Sequence, residues 1–357
     1  MSDKMNLFRC QLRHIVAAIV LGTFCNSLLA QDNDLDYFRD SPETSKYAVI
    51  IIGPAVGETN ANRFRQWGLS LHDILTRDYG YSSDTITLLY DRGDTSFVGG
   101  ERVDGAANRD GIEQGFAELS AQVTTGDQIT LYLIGHGSGA DEEAKFNIVG
   151  PDMTGPEFAD LLDQFQRQDM VIVNTTSASY GFSAALSSEG RVVISSTRSP
   201  TERYDPIFSG YFIEALDQRN GDRDKNNRVS MLEAFEYAKV NVEQWYSEQG
   251  RLAPEHAGLD DNGDALFTLE PGVDQADGLL AEIAYIDTLV DDTAGLSPGA
   301  LELKGRMQEL ERSVFILRGR KAEYLEADYW QQMEQLLVDL ARTTGQFNEQ
   351  LNEQGND

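Results

Sequence analysis

Two apolar runs, each breaking off into a turn of small polar residues, constrain this chain more than any other feature in it. The first is Gln128–Ile134, followed by Gly135, His136, Gly137, Ser138 and Gly139. The second is Met170–Asn174, followed by Thr175, Thr176, Ser177, Ala178 and Ser179. Runs this short and this apolar, closed by turn residues, read as buried strands. Three more share the character: Tyr47–Gly53 with its consecutive isoleucines, Thr85–Tyr90 and Arg191–Ser196. Between them, helical spacing covers Asn62–Tyr79, Asp110–Val123 and Gly155–Gln166. Strands without polar alternation are covered on both faces. Strand and helix in alternation therefore predict an α/β, doubly wound, mostly parallel sheet with right-handed crossovers. Ligands bind beyond the carboxyl ends of strands in such sheets, which brings His136 towards Thr176.

These two turns resemble those of the legumain and caspase-like cysteine peptidases, in which the catalytic His follows one strand in a His-Gly turn and the Cys ends the next. The resemblance spans roughly 47–265 and implies a caspase-like sheet with His136 as general base. It also places Thr176 where the nucleophilic Cys belongs, with Ser177 and Ser179 close by, and backbone N–H groups near Gly137 and Thr176 as an oxyanion hole. The sequence holds two cysteines, Cys10 and Cys25, both far N-terminal to this turn. A thiol ionises near pH 8.5, whereas a hydroxyl needs a base held in its tautomer by a third group. Asp141, Glu142 and Glu143 are the acids nearest His136 in sequence.

Three readings stay open. One is a peptidase homologue without cysteine peptidase activity, a pseudoenzyme that binds peptides or scaffolds a complex. Another is an active hydrolase using a Ser or Thr hydroxyl, with His136 as base. The third is a structural protein with a vestigial cleft, which Tyr180 or Phe182 would fill. In the loop Ser196–Arg203, the resemblance makes Arg198 and Arg203 candidate substrate-binding cations, suited to an acidic or carboxamide side chain; an ordinary exposed loop is the alternative.

A second motif stands apart from the cleft. Asp222, Asp224, Asn226, Arg228, Ser230 and Glu233 occupy the ligand positions of an EF-hand loop at 222–233. Calcium takes hard oxygens from such side chains, from the backbone carbonyl of Arg228, and through a water at Ser230. Asn227 stands where the loop needs a left-handed turn, and Asn tolerates that conformation best after Gly. Phe208–Leu216 and Leu232–Trp245 read as the flanking helices, and a structural calcium ion is the expected cofactor. Asp260–Asp264 looks like half of a second loop, but an acid is missing at its last position. His14, His72 and His256 are scattered, so a zinc site is not expected.

Lys4, Arg9 and Arg13 precede the apolar run Ile15–Phe24, which is too short to span a bilayer comfortably, and Ser27–Ala30 offers a cleavage site. The expectation is a signal peptide at 1–30, a linker at 31–46, and a secreted or periplasmic mature chain without an integral membrane span; an uncleaved anchor is the alternative. The net charge of −30 repels nucleic acid and anionic membranes and attracts divalent cations or basic partners, although solubility alone accounts for it equally well. The domain division expected is an α/β domain at 47–270 and a helical hairpin region at 271–357. In the latter, apolar residues at 303, 307, 310, 314 and 317 resume at Trp330, Met333, Leu337, Leu340, Phe347 and Leu351. That spacing is coiled-coil-like. The hairpin packs on itself or on the α/β domain, or else mediates self-association or partner docking.

Overall fold

The computed structural model describes residues 37–41, 43–288 and 295–354; the predicted signal peptide and positions 31–36 and 42 of the linker lie outside the described residues. At the centre of the fold, β1 (Lys46–Ile52) pairs in parallel with β2 (Ile86–Tyr90) on one side and β3 (Gln128–Ile134) on the other. Further out come β7 (Asp169–Asn174) and β8 (Arg191–Ser195), both parallel, and a short antiparallel edge strand, β9 (Gly258–Asp260). The sheet order is β2-β1-β3-β7-β8-β9. This is the doubly wound, mostly parallel α/β sheet expected, with one antiparallel strand at its edge. A small second sheet joins β4 (Gly137–Ser138), β5 (Lys145–Phe146) and β6 (Met153–Thr154) directly after the His136 turn.

Helices cover both faces. Val49, Ile51, Leu131, Leu133 and Ile172 share one buried cluster with Phe116, Phe158 and Phe182. Those aromatics come from α2 (Arg109–Gln122), α3 (Gly155–Leu162) and α4 (Tyr180–Leu186). On the other face α1 (Glu58–Asp78) approaches so closely at Gly68 that a Cβ there would lie 2.1 Å from the Ile52 side chain. On that face also lies α5 (Phe208–Leu216), with Phe212 edge-on to Tyr132 of β3. Several element ends differ from the sequence expectation for local reasons. The cap of α2 is Asn108, whose side chain accepts from the Gly111 N–H, so the helix opens before Asp110. A capping box of Thr154 and Glu157 fixes the start of α3, which ends at Leu162, short of Gln166.

The long helix α6 (Met231–Glu248) follows the acidic loop, and beneath that loop runs the segment 279–288, held by Met231 N–H to Ala284 O and Leu232 N–H to Ala281 O. The C-terminal pair, α7 (Pro298–Gly319) and α8 (Glu326–Gln354), packs through Val314, Leu317, Tyr329 and Met333 at its closed end and Ala300, Met307 and Phe347 further along. The helical pair was expected; its seam takes Tyr329 inside and leaves Trp330 and Leu337 half exposed. From Phe38 onward the described residues form one compact unit. No helix among the described residues is long and apolar enough to cross a membrane.

One buried acid gives the fold a pH signature. Asp277 is fully buried, one carboxylate oxygen accepts the Asp261 N–H at 3.2 Å, and the other has no partner. Burial, reinforced by the charges of Asp261 and Asp260, pushes its carboxyl up to about 7. A folded-state value above the unfolded one penalises folding once the unfolded group ionises, and the penalty lifts as pH falls through the folded value. Lowering the pH from about 7.5 to 5.5 is therefore expected to raise this group's contribution to unfolding free energy by roughly 1–2 kcal/mol. Urea titrations of wild type and Asp277→Asn check it: the variant should lose that part of the slope.

Candidate functional site

His136 leaves the carboxyl end of β3 and Thr176 leaves that of β7, neighbouring parallel strands, so the sheet itself brings the two turns together. Gly137 is the point of contact. A Cβ there would sit 2.6 Å from the Ala178 nitrogen and 2.8 Å from Thr176 Oγ1, so only glycine lets the turns approach this closely.

The imidazole is held from three sides. Its Nδ1 lies 2.6 Å from Asp205 Oδ1, and Asp205 Oδ2 accepts from the Asn60 side chain at 2.8 Å. Its Nε2 accepts the Val56 N–H at 3.0 Å, and Phe64 of α1 stands edge-on to the ring at 5.1 Å. A carboxylate at Nδ1 and an N–H donor at Nε2 assign the proton to Nδ1. Asp205 was not among the acids singled out by proximity. Asp141, Glu142 and Glu143 form instead a short turn of their own, where the Asp141 N–H donates to Tyr180 Oη. Asp205 lies in the segment that follows β8, which the fold carries back to the His136 turn.

The hydroxyls are placed differently. Thr176 is wholly buried, and its Oγ1 has no hydrogen-bond partner. Ser177 Oγ donates to Gly137 O at 3.1 Å and accepts from Gly137 N–H at 3.3 Å. Ser179 is buried among Ser196 and Thr197, with Oγ 3.2 and 2.9 Å from their hydroxyls. Of the two backbone donors expected for an oxyanion hole, Gly137 N–H is bonded to Ser177, and Thr176 N–H donates to Asn174 Oδ1 at 3.1 Å. Phe182 packs into the core cluster with Phe158.

Further along the same sheet edge, Arg198 Nε pairs with Glu202 Oε1 at 3.1 Å and lines a cavity of about 150 Å³ with His256, Lys239 and Glu243. Glu202 also holds His256 Nδ1 at 2.6 Å. Arg203 is exposed, its Nε donating to Pro200 O at 3.1 Å. The two arginines thus face different surroundings.

In the acidic loop, Asp222, Asp224 and Glu233 offer oxygens that lie within 4.8 Å of one another. Asp222 accepts from the Lys225 and Asn227 N–H groups, and Asn227 takes the left-handed conformation at φ 66°. Withdrawal from bulk water and the charges of Glu233 and Asp222 push the Asp224 carboxyl up to about 6, although the residue keeps contact with solvent. A divalent cation among these oxygens would remove that repulsion. Other candidates point inward. Asn226 Oδ1 accepts from Arg228 N–H while its Nδ2 donates to Tyr285 Oη and Glu311. The Arg228 side chain is buried, leaving its carbonyl as the group a cation could use. Ser230 caps α6 in a reciprocal box with Glu233, whose other oxygen accepts from Arg223 and Asp224 N–H.

No family model matches the chain, and no curated protein matches it. Among solved structures, the crystal structure of protein GSU0716 from Geobacter sulfurreducens, a structural genomics target, is similar with a TM-score of 0.41 at 11% identity. The likeness covers 61% of this chain and 94% of that one.

Proposed function

We propose that this chain is a secreted peptidase-like protein that lacks cysteine peptidase activity and binds peptides at the carboxyl edge of its sheet. The observation that carries the reading is Thr176: at the position the peptidase resemblance reserves for the nucleophile stands a hydroxyl with no exposed surface and no bond to a base. The occupied N–H groups of Gly137 and Thr176 support it, because a tetrahedral oxyanion needs donors free to meet it. Fluorescence anisotropy with a panel of labelled peptides tests the reading. Saturable binding weakened by both His136→Ala and Arg198→Ala is expected; binding that neither substitution changes would reject the cleft as the peptide site.

One observation favours a second reading, hydrolysis through a hydroxyl. The Asp205–His136 pair supplies the tautomer-fixing third group that a hydroxyl nucleophile requires. Ser177, half-buried, is the hydroxyl with a path to solvent.

Calcium is the cofactor we assign to the 222–233 loop, in a structural role. Extracellular sites bind with dissociation constants of ~10⁻⁴–10⁻³ M, so calcium at about 10 mM should stabilise the fold by roughly 1.4–2.7 kcal/mol. Thermal unfolding with and without chelator measures this. Glu233→Gln should abolish most of the gain, and an unchanged gain in that variant would refute the assignment.

A further inference from the structure

The 222–233 loop touches both helices of the C-terminal pair, and it does so through the two residues that also bond its carboxylates. Lys225 donates its N–H to Asp222 Oδ1 at 2.8 Å, and its carbonyl accepts from Asn348 Nδ2 of α8 at 3.3 Å. Asn226 donates its N–H to Asp224 Oδ1 at 2.9 Å, and its Nδ2 donates to Glu311 Oε1 of α7 and to Tyr285 Oη, each at 3.2 Å. The orientation of that amide is fixed twice over, because Asn226 Oδ1 accepts the Arg228 N–H and a carboxylate such as Glu311 only accepts. Tyr285 belongs to the segment beneath the loop, whose Ala281 and Ala284 carbonyls hold the first N–H groups of α6. Each of the two carboxylates is thus one residue away from a helix contact.

We propose that calcium bound in the 222–233 loop fastens the C-terminal helical pair to the α/β sheet, so that cation binding and helix docking form one coupled equilibrium. The inference rests on the calcium assignment above and adds which part of the molecule the ion controls. Asp222, Asp224 and Glu233 hold oxygens within 4.8 Å of one another, and like charges at that range repel. A divalent cation turns the repulsion into attraction and draws the loop to the spacing at which Lys225 meets α8 and Asn226 meets α7. The coupling is reciprocal: the ion protects the docked helices, and the bonds from Asn348 and Glu311 hold the loop ready for the ion. The apolar seam of Val314, Leu317, Tyr329 and Met333 does not pass through the loop, so α7 and α8 stay paired when their docking loosens.

Calorimetry gives the calcium affinity of the full mature chain, and hydrogen exchange gives the protection of 298–319 and 326–354 in chelator and in excess calcium. Wild type is expected to bind calcium, and the ion to slow exchange in both helices about fivefold or more. Asn348→Ala and Glu311→Gln should each weaken calcium about threefold or more, and together about tenfold. In Glu233→Gln, calcium should leave helix exchange unchanged. Circular dichroism shows whether each variant folds; if one does not, the other and the wild-type exchange carry the test. Wild type that binds calcium while both helices exchange at their chelator rate would overturn the proposal. So would wild-type affinity in the folded variants. Absence of calcium binding in the wild type would instead reject the calcium assignment itself, and the coupling with it.

Discussion

Arg228→Ala is expected to lower the unfolding free energy by about 3–5 kcal/mol, because it breaks a buried charge network by removing one partner. The Arg228 guanidinium bonds Asp40 at 2.7 Å and Asp287 at 3.3 Å, and lies 3.8 Å from the centre of the Tyr285 ring. Burial alone would push the Asp40 carboxyl up, but Arg228 and Lys46 outweigh it and hold Asp40 well below the ordinary carboxylate range. Asp287, with no exposed side-chain surface, would keep Arg219 at 3.1 Å as its one cation among the described residues. Urea unfolding measures the loss, and a change under about 1 kcal/mol would mean that Lys46 and Arg219 suffice without it. The residue selected as a calcium-loop position thus does its structural work with its side chain turned the other way.

Phe146→Ala is expected to cost about 3–5 kcal/mol as well, by emptying a fully buried site under the cleft. Phe146 packs on Phe158 with ring centres 6.1 Å apart, and its ring lies so near the backbone of Gly53 and Gly135 that a Cβ on either would touch it. The next residue, Asn147, donates its N–H to His136 O at 3.0 Å, so the aromatic braces the turn that presents the imidazole. Native-state hydrogen exchange should therefore show the Asn147 amide opening more readily in the variant. Phe146→Leu, which keeps most of the volume, should lose appreciably less stability.

The sheet was legible because Ile50, Leu131 and Val173 belong to short apolar runs that suit only a strand buried on both faces. The edge strand β9 escaped notice: Gly258, Leu259 and Asp260 are too few to show a period, and tertiary pairing with β8 makes them a strand. The same limit applies to α4, seven residues long. In the site, His136 and Thr176 were legible as strand-end residues, whereas Asp205 is set beside His136 by sheet order across a separation of 69 residues. In the hairpin, spacing indicated two packed helices but gave the seam to Trp330, because one residue of register exchanges it with Tyr329.

The central claim is that the cleft keeps an oriented imidazole without a nucleophile it can activate. Hydrolysis of a fluorogenic peptide library by the purified mature chain, with and without calcium and beside His136→Ala, tests it most directly. The account predicts that wild type and His136→Ala release fluorophore at the same background rate in both conditions. Turnover by the wild type that disappears in His136→Ala would contradict it and establish a hydroxyl-dependent hydrolase.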